Sequence, residues 1–294
     1  MTALSFSEHR KILLGVAYRI LGSVTDAEDV VQETWLRWSQ LPEGYADDER
    51  AYLVRIATNL ALDRLRQAKS RRESYVGPWL PELVSTPDVA EEAELADTVE
   101  LALLVVLETL SPLERAVFVL REAFGYSHAE IGAILGRDEP AIRQLAKRAR
   151  DHVRERRPRF DVDRGERRAI TERFVSAAAG GDLDGLTALL AKDVTLVGDG
   201  GGKARAPRNV LAGAANVARF LLAIASERGV SRFLNDLSAD LPADLTIEIG
   251  DVNGGPAVVV QADGRVVAVL SLVVADGLVE TVYVVANPEK MSHL

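Results

Sequence analysis

Through the first seventy residues the apolar positions fall at helical intervals. Ile12, Leu13, Val16 and Ile20 form one stripe within residues 6–21, and Gly22 ends it. Thr25-Asp26-Ala27-Glu28 has the spacing of a capping box and predicts a second helix from there to about residue 40, ahead of Pro42. After a turn-rich stretch over 42–48, Tyr52, Leu53, Ile56, Leu60 and Leu65 mark a long helix from Glu49 to about residue 71. Pro78, Pro81 and Pro87 then break the pattern and predict a linker. A second helical block covers 98–157, with capping-box spacing at Ser111-Pro112-Leu113-Glu114 and at Ser127-His128-Ala129-Glu130. From about residue 169 helical segments (169–178, 183–191, 209–226) alternate with β-branched runs at 194–197, 245–250, 257–262, 266–274 and 278–285. Asp263-Gly264 and Asp276-Gly277 between those runs predict antiparallel hairpins. The expected fold is therefore multidomain: two all-α helical domains, then an α+β domain of about 125 residues.

Composition supports real cores in a chain of 294 residues that is 48% hydrophobic and 27% charged. Cysteine is absent, which excludes disulfides and thiolate metal sites and fits a reducing cytoplasm. Glu8, His9, Arg10 and Lys11 rule out a signal peptide, and no uncharged stretch reaches the roughly 18–20 residues a bilayer span needs, so a soluble chain with no membrane partner is expected. The net charge of −9 speaks against nucleic acid only as an average. Residues 50–72 carry seven Lys/Arg and one acid, and residues 137–159 carry nine against four. Residues 73–100 carry eight acids and no base, and 169–294 carry ten bases against fifteen acids. Two basic islands, each on a predicted helix, are thus separated by an acidic linker. Within that linker lies the apolar run Val76-Gly77-Pro78-Trp79-Leu80-Pro81, whose tryptophan is expected to dock on another surface.

The sharpest local pattern is residues 127–150. A short capped helix ends at Gly136, and a turn leads to a second helix with Asp138 as its N-cap. Ile142, Leu145, Ala146 and Ala149 face inward there, leaving Glu139, Arg143, Gln144, Lys147 and Arg148 outward. That is a helix-turn-helix with a basic recognition helix, against the plain alternative of a helical hairpin with a solvated face. Arginine and glutamine suit bidentate contacts with guanine and adenine, whereas Lys147, Arg150 and Arg154 suit phosphates.

Residues 1–72 and 100–157 resemble regions 2 and 4 of an extracytoplasmic-function sigma factor of the sigma-70 class. The segment 26–38 is similar to the family's polymerase-binding region, which implies contacts from Asp26, Asp29, Val30, Gln32, Glu33, Trp35 and Leu36. The segment 49–66 resembles the helix that reads the −10 element, which implies Arg55, Asn59, Asp63, Arg64 and Arg66 on DNA and a base-trapping loop over 42–48. The helix-turn-helix would then read the −35 element. The implied partners are core RNA polymerase, through its β′ and β subunits, and promoter DNA. The division implied is region 2 over 1–72, a linker over 73–99, region 4 over 100–158 and an added domain over 169–294.

That last domain resembles the SnoaL-like cone, the fold of ketosteroid isomerases and small polyketide cyclases, and a subgroup of these sigma factors carries such an extension. The resemblance rests on Trp79-Leu80-Pro81-Glu82, Asp199-Gly200-Gly201-Gly202-Lys203 and Asn287-Pro288-Glu289-Lys290. It implies regulation in cis through an interface of Trp79, Leu80, Pro81, Asp199, Gly200, Gly201, Gly202, Lys203, Asn287 and Pro288. The glycine run departs from the phosphate-loop pattern, since Val197 stands where the first glycine belongs and Ala204 follows Lys203, so a docked turn is the better account than nucleotide binding. That turn docks on the linker or the helical part, and Asp199, a possible base, reads rather as its cap. An isomerase needs a carboxylate base and an oxyanion donor, and the domain offers one tyrosine, Tyr283, and one histidine, His293. No catalytic group, metal site or cofactor is therefore assigned, although a hollow cone would accept a small apolar ligand. The competing function is a ligand-responsive helix-turn-helix regulator, which would have no use for a polymerase-binding helix.

Overall fold

The computed structural model describes residues 2–42, 44–85, 100–156, 162–236 and 245–294. It divides into two compact units, Met1–Ser74 with Pro87–Arg157, and Tyr75–Thr86 with Pro158–Leu294. The second half of the expected linker, residues 86–99, lies outside the described residues.

In the first unit α1 (Thr2–Leu21), α2 (Val24–Ser39) and α3 (Glu49–Arg72) pack on one another. The last turns of α1 are buried all round, through Leu13, Val16, Ala17, Tyr18, Ile20 and Leu21, as suits the central helix of a bundle. The cap of α2 differs from the expected one. Ser23, not Thr25, is the N-cap, and its hydroxyl accepts the Asp26 N–H at 3.1 Å. Gly22 at φ 70 turns the chain so sharply that the helix restarts immediately. Then follow α4 (Leu101–Glu108), α5 (Pro112–Phe118), a π-turn over Val119–Ala123, α6 (His128–Leu135) and α7 (Glu139–Arg156). Both serine capping boxes form, at Ser111 with Glu114 and at Ser127 with Glu130. The serine hydrogen bonds hold both glutamate carboxyls below their ordinary pKa.

The second unit is α+β, the architecture the SnoaL resemblance implies. Its helices are α8 (Arg164–Ala179), α9 (Leu183–Leu189), α10 (Ala214–Ala225) and α11 (Glu227–Asp236). Its strands are β1 (Leu190–Asp199), β2 (Leu211–Ala212), β3 (Leu245–Val252), β4 (Gly255–Ala262), β5 (Arg265–Ala275) and β6 (Leu278–Val285), in sheet order β2-β1-β6-β5-β4-β3. The β1 and β6 strands run parallel, and the other pairings are antiparallel. Alternate residues Leu270, Leu272 and Val274 of β5 and Val282 and Val284 of β6 meet Phe174, Leu186, Val217 and Leu221 of the helices in one core. Asp263-Gly264 and Asp276-Gly277 make the expected tight turns with φ positive at both residues, and Asn253-Gly254 makes a third.

Two helix expectations here are corrected. Residues 190–191 belong to β1, because Leu190 pairs with Val279 of β6 and so finds its partner in the sheet. The stretch 209–226 is no single helix: Leu211 and Ala212 pair with β1, and Gly213 at φ 88 starts α10 only afterwards. Helix α11 was not expected. Ser226 opens it by accepting the Gly229 N–H at 3.2 Å.

Candidate nucleic-acid interface and strap

The helix-turn-helix is built by local chemistry. Gly136 takes φ 64 to end α6, and Asp138 accepts the Ala141 N–H at 3.1 Å to open α7. A side chain on Gly132 would strike the Arg137 carbonyl at 2.7 Å, so glycine is required for the turn to fold back. Ile142, Ala146 and Ala149 are buried and Leu145 is half-buried. Arg143, Gln144, Lys147 and Arg148 are exposed, and Glu139 is half-exposed. Arg143 pairs with Glu139 at 2.5 Å, Arg148 with Glu114 at 3.2 Å and Arg150 with Glu122 at 3.0 Å. Exposed pairs of this kind are worth little and exchange readily for phosphates.

On α3, Arg55, Asn59, Asp63 and Arg66 are exposed and Arg64 is half-buried. The Arg55 guanidinium lies 4.9 Å from the Tyr52 ring, which in turn meets Tyr45 edge-on at 5.6 Å. Arg66 pairs with Asp63 at 2.5 Å. Arg64 reaches across to α2, to Asp29 at 2.9 Å and Glu33 at 3.6 Å, so two acids assigned to polymerase also brace the basic helix. Asp26 and Trp35 are half-buried, Gln32 is exposed and Leu36 is 52% exposed. Trp35 meets Phe6 with tilted rings 5.0 Å apart, and Val30 is fully buried and supports the helix from beneath. A groove of about 720 Å³ runs between α3 and α6, lined by Tyr45, Arg50, Tyr52 and Arg55 on one side and Tyr126 and Ile134 on the other.

The residues assigned to the regulatory interface meet in the second unit. Asp199, at the end of β1, is fully buried. One carboxylate oxygen accepts the Tyr75 hydroxyl at 2.6 Å, and the other accepts the Leu80 N–H at 2.7 Å and Lys290 Nζ at 2.5 Å. Asp199 therefore does not cap the glycine turn. Its oxygens are taken by the strap, residues 75–85, because burial demands partners stronger than a solvated loop. Lys290 also donates to the Leu80 carbonyl and sits 4.1 Å from the Trp79 ring. Asn287 donates Nδ2 to the Tyr75 oxygen at 2.8 Å and opens a short 3₁₀ turn with Pro288 at its first position. A side chain on Gly201 would strike Asn287 Nδ2 and the Tyr75 oxygen, so the glycine turn closes directly onto the strap. A side chain on Gly200 would strike the Ala204 carbonyl, while Gly202 lies against Val76 and Lys203 pairs with Glu289 at the surface.

The strap continues beyond the expected motif. Leu80, Pro81 and Leu83 are buried, and the Leu83 N–H donates to the Lys290 carbonyl at 2.9 Å. Asn253 exchanges two bonds with Val84, at 2.9 and 3.2 Å. Tyr75, Lys290 and Asn253 were absent from the assigned interface. Tyr75 directly precedes the apolar run, Lys290 ends the Asn287-Pro288-Glu289-Lys290 motif and Asn253 sits in an Asn-Gly pair, signals that could have found them.

Family models for sigma-70 region 2 and sigma-70 region 4 match residues 6–71 and 100–153. The ECF RNA polymerase sigma factor SigJ of Mycobacterium tuberculosis is 37% identical over 297 residues, covering 99% of this chain and 94% of that protein. The probable ECF RNA polymerase sigma factor SigI of the same species is 32% identical over 290 residues, covering 97% and 93%. The crystal structure of M. tuberculosis SigJ superposes with a TM-score of 0.77 at 34% identity, over 98% of this chain and 97% of that one.

Proposed function

Because the chain belongs to the extracytoplasmic-function RNA polymerase sigma factors, we propose that it gives polymerase promoter specificity through three named surfaces. The α2 face bearing Asp26, Asp29, Gln32, Glu33, Trp35 and Leu36 takes the β′ subunit. The α3 face, with Arg55 and Asn59 beside the Tyr45–Tyr52 pair, takes the melted −10 strand by stacking and backbone contact. The exposed face of α7 takes the −35 duplex, with Arg143 and Gln144 on bases and Lys147 on phosphate. The observation that carries this reading is the division of α7 into a buried apolar face and an exposed Arg143-Gln144-Lys147-Arg148 face on a helix-turn-helix. Its setting is the cytoplasm, where polymerase works.

The C-terminal domain acts in cis, and the anchored strap supports this. Residues 73–99 join the two DNA-binding regions and, fully extended, would span about 95 Å. With 75–85 held by Asp199, Lys290 and Asn253, only 86–99 lie beyond the anchor, at most about 50 Å of chain. The domain thereby limits how far region 4 can travel from region 2. Asp199 serves as the anchor, with both carboxylate oxygens committed to strap donors.

The test adds the purified full chain to core RNA polymerase and measures co-elution and run-off transcription on fragments of the host genome. A truncation after Lys203 would remove β3–β6 and uncover Val194 and Leu196 of β1, so the full chain is the proper reagent. Promoter-dependent product supports the reading. A chain that neither co-elutes with polymerase nor yields product overturns it.

A further inference from the structure

Both halves of the first unit meet at the carboxyl end of α1. Its last carbonyls have no helical partner and carry the negative end of the helix dipole. Arg115 of α5, only 1% exposed, donates Nε to the Arg19 carbonyl at 3.0 Å. Arg72, the last residue of α3, donates Nη2 to the Leu21 carbonyl at 2.8 Å. Both guanidiniums then converge on one acid, Glu108 at the end of α4, which accepts Arg72 on one oxygen and Arg115 on the other. Arg19, Leu21 and Arg72 belong to the region 2 half, and Glu108 and Arg115 to the region 4 half. Burial holds Arg72 below its ordinary pKa, and Glu108 works against that. Without the acid, two enclosed cations would face each other. One Arg115 nitrogen, Nη2, is buried without a hydrogen-bond partner, so the junction is incompletely satisfied.

The same closure brings α6 up to the edge of the α3 face assigned to the −10 strand, whose Arg55, Asn59, Asp63 and Arg66 stay exposed. Asn59 donates Nδ2 to the Ile134 carbonyl of α6 at 3.3 Å, and Arg55 lies in the groove that α6 helps to line. The −10 and −35 elements lie about 25 base pairs apart, on the order of 85 Å at about 3.4 Å per pair. A compact unit of this length has a radius of gyration of about 15 Å, so it is about 40 Å across and cannot reach both.

We propose that the Arg72–Glu108–Arg115 clasp is a latch, holding region 4 beside the strand-binding face of region 2 until both promoter elements are to be engaged. This deepens the sigma-factor reading and rests on it for its purpose.

The chain has no cysteine, so Ser39→Cys with Asp151→Cys places one spin label on α2 and one on α7 without background. Double electron–electron resonance on the full chain alone should give one short, narrow distance distribution. Glu108→Gln should add a second, longer-distance population, and Arg72→Gln, which leaves the Arg115–Glu108 pair in place, a smaller one. Circular dichroism shows whether each variant keeps its helices, and Arg72→Gln decides alone if Glu108→Gln does not fold. Unchanged distances in the folded variants overturn the latch. Neither DNA nor polymerase enters this measurement, so an unopened latch alongside successful run-off transcription sinks the latch only.

Discussion

The backbone N–H of Leu80 points at the buried carboxylate of Asp199, 2.7 Å away, across 119 residues of sequence. A peptide between two DNA-binding regions is thereby tied to a third domain by a charge with no access to water. Lys290 supplies the balancing charge, itself only 5% exposed.

Asp199→Ala should therefore destabilise the C-terminal unit as well as change transcription. It strands a buried ammonium, a change that typically costs about 3–5 kcal/mol. Denaturant unfolding measures the loss, and amide exchange at Leu80 and Leu83 reports release of the strap. Continued protection of those two amides would show that Asp199 is not the anchor.

Alkaline pH should loosen the same site. Burial, and then the hydrogen bond to Asp199, raises the Tyr75 hydroxyl above its usual 10.0. The folded chain thus holds this proton more tightly than the unfolded one. The group's stabilisation is complete below about pH 10 and is lost as pH climbs beyond it toward the folded value. Melting temperature against pH should fall above about pH 10, and Tyr75→Phe should reduce that slope. An unchanged slope in the variant would remove Tyr75 from the account.

Two glycines should respond differently to alanine. Gly136 has φ 64 and open space around its Cβ position, so Gly136→Ala should cost only the left-handed strain, about 1–2 kcal/mol. Gly201 has φ 58 and two polar atoms within 2.8 Å of that position, so Gly201→Ala adds a collision with Asn287 and Tyr75. Thermal unfolding should rank Gly201→Ala as the worse, and Val76 and Leu80 should lose protection only there.

On DNA, Lys147→Ala should weaken binding on all sequences alike and reduce the salt slope of log K by about 1. Gln144→Ala should instead relax the preference at one base pair, by about 1–3 kcal/mol. Fluorescence anisotropy over a salt series, with single-base variants of a selected site, separates the two. Equal behaviour of both variants would contradict the division between phosphate and base contacts.

Much of the fold was legible because its causes are local. Ser111, Ser127 and Asp138 lie beside the N–H groups they cap, and Gly136, Gly264 and Gly277 sit where the backbone must turn left-handed. Two of the boundaries that differ, at residues 190–191 and 209–213, are those where a strand partner from elsewhere in the chain overrode the local preference, whereas the α2 cap moved from Thr25 to Ser23 within its own turn.

By itself, then, the sequence determined the helical order of the first unit, the helix-turn-helix with its outward basic face, the hairpins and the family. Periodicity and capping act within a few residues, and the pattern records them directly. Tertiary structure alone decided that Asp199 grips the strap rather than capping its own turn, and that Glu108 gathers Arg72 and Arg115 at the end of α1. A charged side chain looks the same in sequence whether solvated or buried. Its strength as an anchor comes from the loss of water around it, and only the packed chain decides where that happens.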